Sequence, residues 1–136
     1  VAKETTIPII DLNAADTVEL MKLPGIGSSF AKRIVEYKEK LGGYYSVSQL
    51  LEVHGMDSVR YNGISNYVTT DSVALRKLKV NYDTFKTLLR HPYLEYDDVK
   101  KIVNQRERKG LIVDWNQLRT ILLREEEDCL QYYVEY

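Results

Sequence analysis

Apolar residues recur at helical spacing in short runs separated by glycine, proline and small polar residues. Phe30, Ala31, Ile34, Val35, Tyr37 and Leu41 form one stripe, which predicts a long helix from about Ser28 into Gly42-Gly43, where glycine supplies the C-cap. Ahead of it lie a polar-to-apolar lead-in, Val1 to Ile10, and a helix from an Asn13 cap through Lys22 with Asp16 in its first turn. Ser46-Val47-Ser48-Gln49 spells a capping box opening a short helix through Val53, and Asp114-Trp115-Asn116-Gln117 repeats it with Asp as the cap. Asn81 is expected to cap a helix to Arg90, Tyr96 or Asp97 to open one to Lys109, and Trp115 and Glu125 to open the last two. Alternation of the strand type is nowhere sustained, so the fold class read from the pattern is all-α.

Sliding the chain along itself by 68 positions without a gap pairs Asn13 with Asn81, Leu20 with Leu88, Pro24 with Pro92 and Lys32 with Lys100. The same shift pairs Ile34-Val35 with Ile102-Val103, Glu39 with Glu107, Gly42 with Gly110 and Gln49-Leu50 with Gln117-Leu118. An internal duplication follows, with residues 1–70 and 71–136 as two small helical domains joined by Thr69 to Arg76. Each domain should hold two hairpins, because Val53-His54-Gly55-Met56-Asp57 follows one helix pair as Leu23 to Gly27 follows another.

The segment Leu23-Pro24-Gly25-Ile26-Gly27-Ser28-Ser29-Phe30-Ala31 has the chemistry of an anion-holding turn. Gly25 and Gly27 can take positive φ, so the backbone can fold tightly and aim successive N–H groups to one side. Ile26 can pin the turn to a core. The helix opening near Ser28 adds unpaired first-turn N–H groups and the positive end of its dipole, which favour a phosphate oxygen. Gly25, Ile26, Gly27, Ser28, Ser29 and Phe30, with Lys32 behind them, are therefore the candidate phosphate-binding residues.

These residues resemble the helix-hairpin-helix motif, in which an apolar-Pro-Gly-apolar-Gly turn grips the sugar-phosphate backbone of DNA. With Ala31, Lys32 and the Gly42-Gly43-Tyr44-Tyr45-Ser46-Val47 continuation, Asp11 to about Val68 is similar to the ComEA-like family of bacterial competence and DNA-uptake proteins. The whole chain resembles the tandem form found in envelope proteins of Bacteroidetes-type bacteria. The resemblance implies two tandem double helix-hairpin-helix domains, weak sequence-independent binding of double-stranded DNA, an envelope or periplasmic location, and no enzymatic activity. It also implies that paired hairpins bind the duplex together, which adds Gly55, Ser58 and Arg60 as weaker second-hairpin candidates. A K+ or Na+ ion at the backbone carbonyls of Met21, Leu23 and Ile26 is implied as well, with no side-chain ligand.

Charge changes this picture. The formal net charge is -1 with a pI near 6.2, poor for a protein that neutralises phosphates. Ile9 to Val68 carries 6 Lys and Arg against 7 Asp and Glu, and Lys77 to Arg124 carries 11 against 6. Glu125, Glu126, Glu127, Asp128 and Glu135 then offset the second region's basic excess. One cysteine, Cys129, excludes an intramolecular disulfide and a multi-thiolate metal site. No run approaches the length of a membrane span, so no membrane contact is expected of this stretch. The start at Val1, without a charged or signal-like apolar segment, is read as that of an excised piece whose targeting segment was removed.

Aligning the four expected turns places Gly25-Ile26-Gly27 against Gly55-Met56-Asp57, Tyr93-Leu94-Glu95 and Leu123-Arg124-Glu125. Only the first keeps both glycines. The others place a carboxylate where Gly27 stands, at an expected helix start, where it would cap the free N–H groups and repel phosphate. Asp97-Asp98 read as first-turn acids, His54 and His91 as structural hairpin residues, and Tyr132, Tyr133 and Tyr136 as an aromatic end packed on the domain. The reading is DNA binding through the first hairpin. Its rival is a protein-interaction or scaffolding module that kept the fold and lost most phosphate sites.

Overall fold

The computed structural model describes residues 7–70 and 74–136, and the middle of the expected linker, 71–73, lies outside the described residues, as does most of the lead-in. The chain divides into two compact units, Val1–Glu39 with Gly43–Ala74, and Lys40–Gly42 with Leu75–Tyr136. The division falls between Ala74 and Leu75 rather than after residue 70, and Thr69 belongs to a strand instead of a linker.

In the first unit, β1 (Ile10–Asp11) pairs in parallel with β2 (Val68–Thr69), joining the two ends of the unit. Between them run α1 (Thr17–Leu20), α2 (Ser28–Leu41, its last two residues grouped with the other unit), a 3-10 helix over Val47–Glu52, α3 (Ser58–Ile64) and a 3-10 turn over Ser65–Tyr67. Leu12, Leu20, Leu23, Ile34, Tyr44, Leu50 and Ile64 are almost wholly buried and form the core. The Tyr44 hydroxyl enters it by donating to the Ile34 carbonyl at 2.8 Å, as a buried phenol must.

In the second unit, β3 (Leu78–Lys79) pairs in parallel with β4 (Val134–Glu135). The helices are α4 (Phe85–Leu89), α5 (Tyr96–Arg108), α6 (Trp115–Leu122) and a closing 3-10 helix over Cys129–Tyr133. Val80, Leu88, Val99, Ile102, Ile112, Leu118 and Leu130 make its core.

The all-α class holds, and the expectation of a wholly helical chain is corrected by these two-residue parallel ladders. They are too short to show alternation, and each joins segments more than fifty residues apart. Two expected caps are also corrected. Asp16, not Asn13, caps α1, closing a box with Glu19 at 2.8 and 3.4 Å, and Thr84, not Asn81, caps α4. The two asparagines do something else. Asn13 accepts from the Tyr44 N–H at 2.7 Å and donates to the Tyr44 carbonyl at 2.8 Å, and Asn81 makes the same pair with Ile112, both at 2.8 Å. Each side-chain amide thereby stands in for a neighbouring strand.

Ser46 and Gln49 form the expected box, although the helix that they open is 3-10. Asp114 caps α6, accepting from Gln117 N–H at 2.8 Å. Glu125 opens nothing. Elements of the second unit stand 68 positions after those of the first at β1 and β3, at α2 and α5, and at Val47 and Trp115, but β4 stands 66 after β2. The ungapped register is therefore corrected near the C-terminus: the stretch matching α3 has no α-helix, and Asp128, accepting from Leu130 N–H at 2.9 Å, caps the final 3-10 turn that stands there.

Candidate nucleic-acid interface

The first hairpin is built from its backbone. Leu23 and Ile26 are buried, and the Ile26 N–H closes the turn on the Leu23 carbonyl at 3.2 Å. Gly25 sits at φ 77°, a conformation costly for a residue with a Cβ. Gly27 does not take positive φ, which corrects that part of the expectation. It occupies the residue before Ser28, its carbonyl accepting from Ala31 N–H at 2.9 Å as the first bond of α2. A Cβ placed on Gly27 would meet nothing within 4 Å. Glycine is thus not required by space here; the position is open, and Ser28 and Ser29 beside it are exposed.

The second hairpin repeats this turn with a different start. Met56 N–H bonds the Val53 carbonyl at 3.0 Å, Gly55 sits at φ 82°, and Asp57 occupies the cap, its carboxylate accepting from Arg60 N–H at 2.7 Å. The N–H group that could meet an anion in the first hairpin is answered here from within the chain.

The two hairpins meet across Phe30. The Arg60 guanidinium lies 4.1 Å from the ring centroid and that of Arg33 lies 5.1 Å from it. Arg60 Nε donates to the Gly25 carbonyl at 3.3 Å, and Arg33 donates to the His54 carbonyl, also at 3.3 Å. A Cβ on Gly55 would fall 2.9 Å from the Arg33 guanidinium and 3.3 Å from the Phe30 ring. Gly25, Phe30, Gly55 and Arg60 are brought together, with Ser58 exposed at the start of α3. Lys32 points elsewhere, its ammonium 3.9 Å from Glu36, one turn along α2 in a solvated pair. Arg33 stands in the charged stretch Lys32 to Lys40 of α2 and is not among the residues expected at the site. Its spacing of three from Phe30 was the available signal, but its bond to a carbonyl 21 residues away was not legible.

The second unit treats the same positions differently. Leu94 N–H closes on the His91 carbonyl at 3.1 Å, and Glu95 is the cap residue of α5, where Asp98 accepts from Glu95 N–H at 3.0 Å. At the fourth turn Leu123 takes φ 57°, the conformation that Gly25 and Gly55 take elsewhere. Arg124 is turned inward, bonding the Tyr93 carbonyl at 2.6 Å, Asp98 at 2.8 Å and Asp128 at 3.4 Å. This ion-paired junction replaces α3.

Of the two histidines, His54 is exposed and His91 is buried. Tyr93 N–H donates to His91 Nδ1 at 3.1 Å, so Nε2 carries the proton and donates to the Leu41 carbonyl at 2.9 Å. Burial, and after it the charge of Arg76, pushes its pKa down to about 4 against the raising effect of the Leu41 bond. Tyr133 is buried beside it and Tyr132 is exposed. Among the described residues no group of three His, Cys, Asp or Glu could hold a metal ion, and no helix is long and apolar enough to cross a membrane.

Residues 6–69 carry a helix-hairpin-helix motif. This motif is generally associated with DNA binding without sequence preference. The chain is 33% identical over 63 residues to the endonuclease/exonuclease/phosphatase family domain-containing protein 1 of Danio rerio and to that of Homo sapiens. Those matches cover 46% of this chain and only 12% and 11% of the relatives. It is also 44% identical over 48 residues to an uncharacterized protein of Haemophilus influenzae, covering 35% of this chain and 43% of that one. No solved structure matches the chain. The helix-hairpin-helix segment coincides with the first unit, where the open Gly27 and the Phe30 junction lie.

Proposed function

We propose that the first unit binds double-stranded DNA weakly and without sequence preference, the backbone N–H groups of Gly25 and of Gly27 to Phe30 holding a phosphate, while the Ile26 N–H, expected among them, is spent on closing the turn onto the Leu23 carbonyl. The observation that carries this reading is Gly27: the matching places in the other turns hold Asp57 and Glu95 at helix caps, and this one holds a hydrogen atom with open space beyond it. Arg60 and Arg33 flank the site, and Lys32 can swing from its solvated partner to add charge. Contacts of this kind position a protein on DNA without reading bases. Gly55, Ser58 and Arg60 would face the second strand, with Asp57 limiting what that hairpin can hold.

The proposal extends to the resemblance. The chain is read as two tandem double helix-hairpin-helix domains of ComEA-like, Bacteroidetes-type origin, a binding module rather than an enzyme, serving DNA uptake at the bacterial envelope. The recurrence of elements at 68 positions and the matched Asn13 and Asn81 clamps support duplication. A K+ or Na+ ion would sit at the carbonyls of Met21, Leu23 and Ile26; the Leu23 carbonyl already accepts from Ile26 N–H and keeps a second lone pair for the ion. A protein-interaction role is the second reading, favoured by the inward Arg124 junction and by Glu95 at the cap of α5 in the second unit.

The test is a titration of wild type and Gly27→Asp with duplex DNA at two salt concentrations. Wild type should bind at about 10⁻⁴ to 10⁻⁶ M, with a shallow salt slope from few phosphates. Gly27→Asp should lose about 1–3 kcal/mol of that affinity through charge repulsion at the anion site. Equal binding by both, or none by wild type at low salt, would transfer the fold to the protein-interaction reading.

A further inference from the structure

The second unit holds a cavity of about 240 Å³ whose lining includes Lys40, Arg76, Lys77, Lys79, Asp83 and Thr87, all residues of that unit. We infer that this cavity binds a phosphate group, independently of the first hairpin.

Four exposed basic residues and the half-buried Asp83 border this small space, whose lining also includes Leu41 and Leu78, in a chain of net charge -1. The carboxylate is engaged: Asp83 accepts from the Lys79 backbone N–H at 2.9 Å, which ties the strand bearing Lys79, directly after Lys77, to the turn before α4. Thr87 accepts the Thr84 hydroxyl at 3.0 Å and presents its own O–H as a donor. Gathering like charges around one cavity costs repulsion, which a bound anion removes. The volume is below the roughly 300–1,000 Å³ of sites for drug-sized ligands and suits a small tetrahedral anion, whether free or carried on a nucleic-acid backbone.

His91 also lines the cavity and serves as a built-in reporter. Both of its ring nitrogens are engaged, by Tyr93 N–H and the Leu41 carbonyl, so it is not itself a ligand. It feels the charge of Arg76, beside Lys40, Lys77, Lys79 and Asp83, with Tyr93 and Tyr133 as its ring neighbours. An anion bound among those cations would offset them and make His91 easier to protonate. The chain has two histidines, and exposed His54 is the internal control.

The experiment is an NMR titration of both histidine rings in phosphate-free buffer, with inorganic phosphate in one arm and a short duplex in the other. The expected result is a saturable rise of the His91 pKa, without a matching change at His54, in at least one arm, and that arm names the source. Lys77→Gln/Lys79→Gln should weaken the fitted affinity by about tenfold, the loss of two nearby charges. Gly27→Asp should leave the response to inorganic phosphate intact, so failure of DNA binding at the first hairpin and failure of this site are separable. No His91 response in either arm, or an unchanged response in the double variant, overturns the inference.

Discussion

Arg60 stacks on Phe30, its guanidinium carbon 4.1 Å from the ring centroid, although the two residues belong to different hairpins. The ring is half-buried and touches Arg33 as well, so it holds the first hairpin's helix against the second hairpin. Phe30→Ala should lower stability by about 1–3 kcal/mol, from lost apolar burial plus two cation–π contacts, read as a lower urea midpoint. Phe30→Leu, which keeps bulk and loses the π face, should recover most but not all of that loss.

Gly55 and Gly27 should respond oppositely to a methyl group. Gly55→Ala combines φ 82° with a Cβ 2.9 Å from Arg33, and should cost about 1–3 kcal/mol. Gly27→Ala meets open space at ordinary φ and should change stability by no more than about 1 kcal/mol. Thermal unfolding of both variants side by side decides it; equal losses would mean that the two turns are equally constrained.

Asp at position 27 should add what Asp57 already supplies, a carboxylate 2.7 Å from a first-turn N–H. Gly27→Asp is therefore expected to gain up to about 1 kcal/mol of stability while DNA affinity falls. A loss of stability on urea unfolding would show that the first turn cannot seat the cap.

Asn81 is 9% exposed and holds both backbone groups of the buried Ile112. Asn81→Ala would leave a buried donor and acceptor unpaired, a cost of about 2–4 kcal/mol. Asn81→Asp keeps the acceptor but sets a buried carboxylate oxygen against the Ile112 carbonyl, and should cost at least as much at neutral pH. If both variants unfold at the wild-type urea midpoint, the clamp does not hold the unit together.

His91 makes stability depend on pH. Its pKa falls from 6.5 unfolded to about 4 folded, so the unfolded chain binds the extra proton first, and stability rises with pH across that window. The contribution is complete above pH 6.5 and is lost toward pH 4, at up to about 1.4 kcal/mol per pH unit. Carboxylates titrate nearby, so the check is the difference between wild type and His91→Gln in urea unfolding from about pH 7 to 4.5. A constant difference across that range would contradict the assignment.

Local signals carried far in the sequence alone. The stripe from Phe30 to Leu41, the box of Ser46 and Gln49, and the Asp114 cap all act within one or two turns, where a few residues fix the backbone through their own hydrogen bonds. The Leu23 to Gly27 turn was legible for the same reason: Gly25 must take positive φ, and Ile26 must be buried.

What depended on distant partners was not legible, because one residue's chemistry satisfies several geometries and only packing selects among them. Asn13 and Asn81 looked like helix caps, since an amide can cap. Tertiary contact turned each toward a backbone segment 31 residues away, leaving the cap to Asp16 and Thr84. Glu125 looked like a helix start until a two-residue change of register and the Arg124 ion pairs removed the helix that it would have opened. Arg60 was expected only at the second hairpin, and nothing in the sequence joined Arg33 to either turn. The meeting of the two hairpins on Phe30 made them flank one site, because a guanidinium can lie flat on an aromatic face only when the fold brings that face within reach.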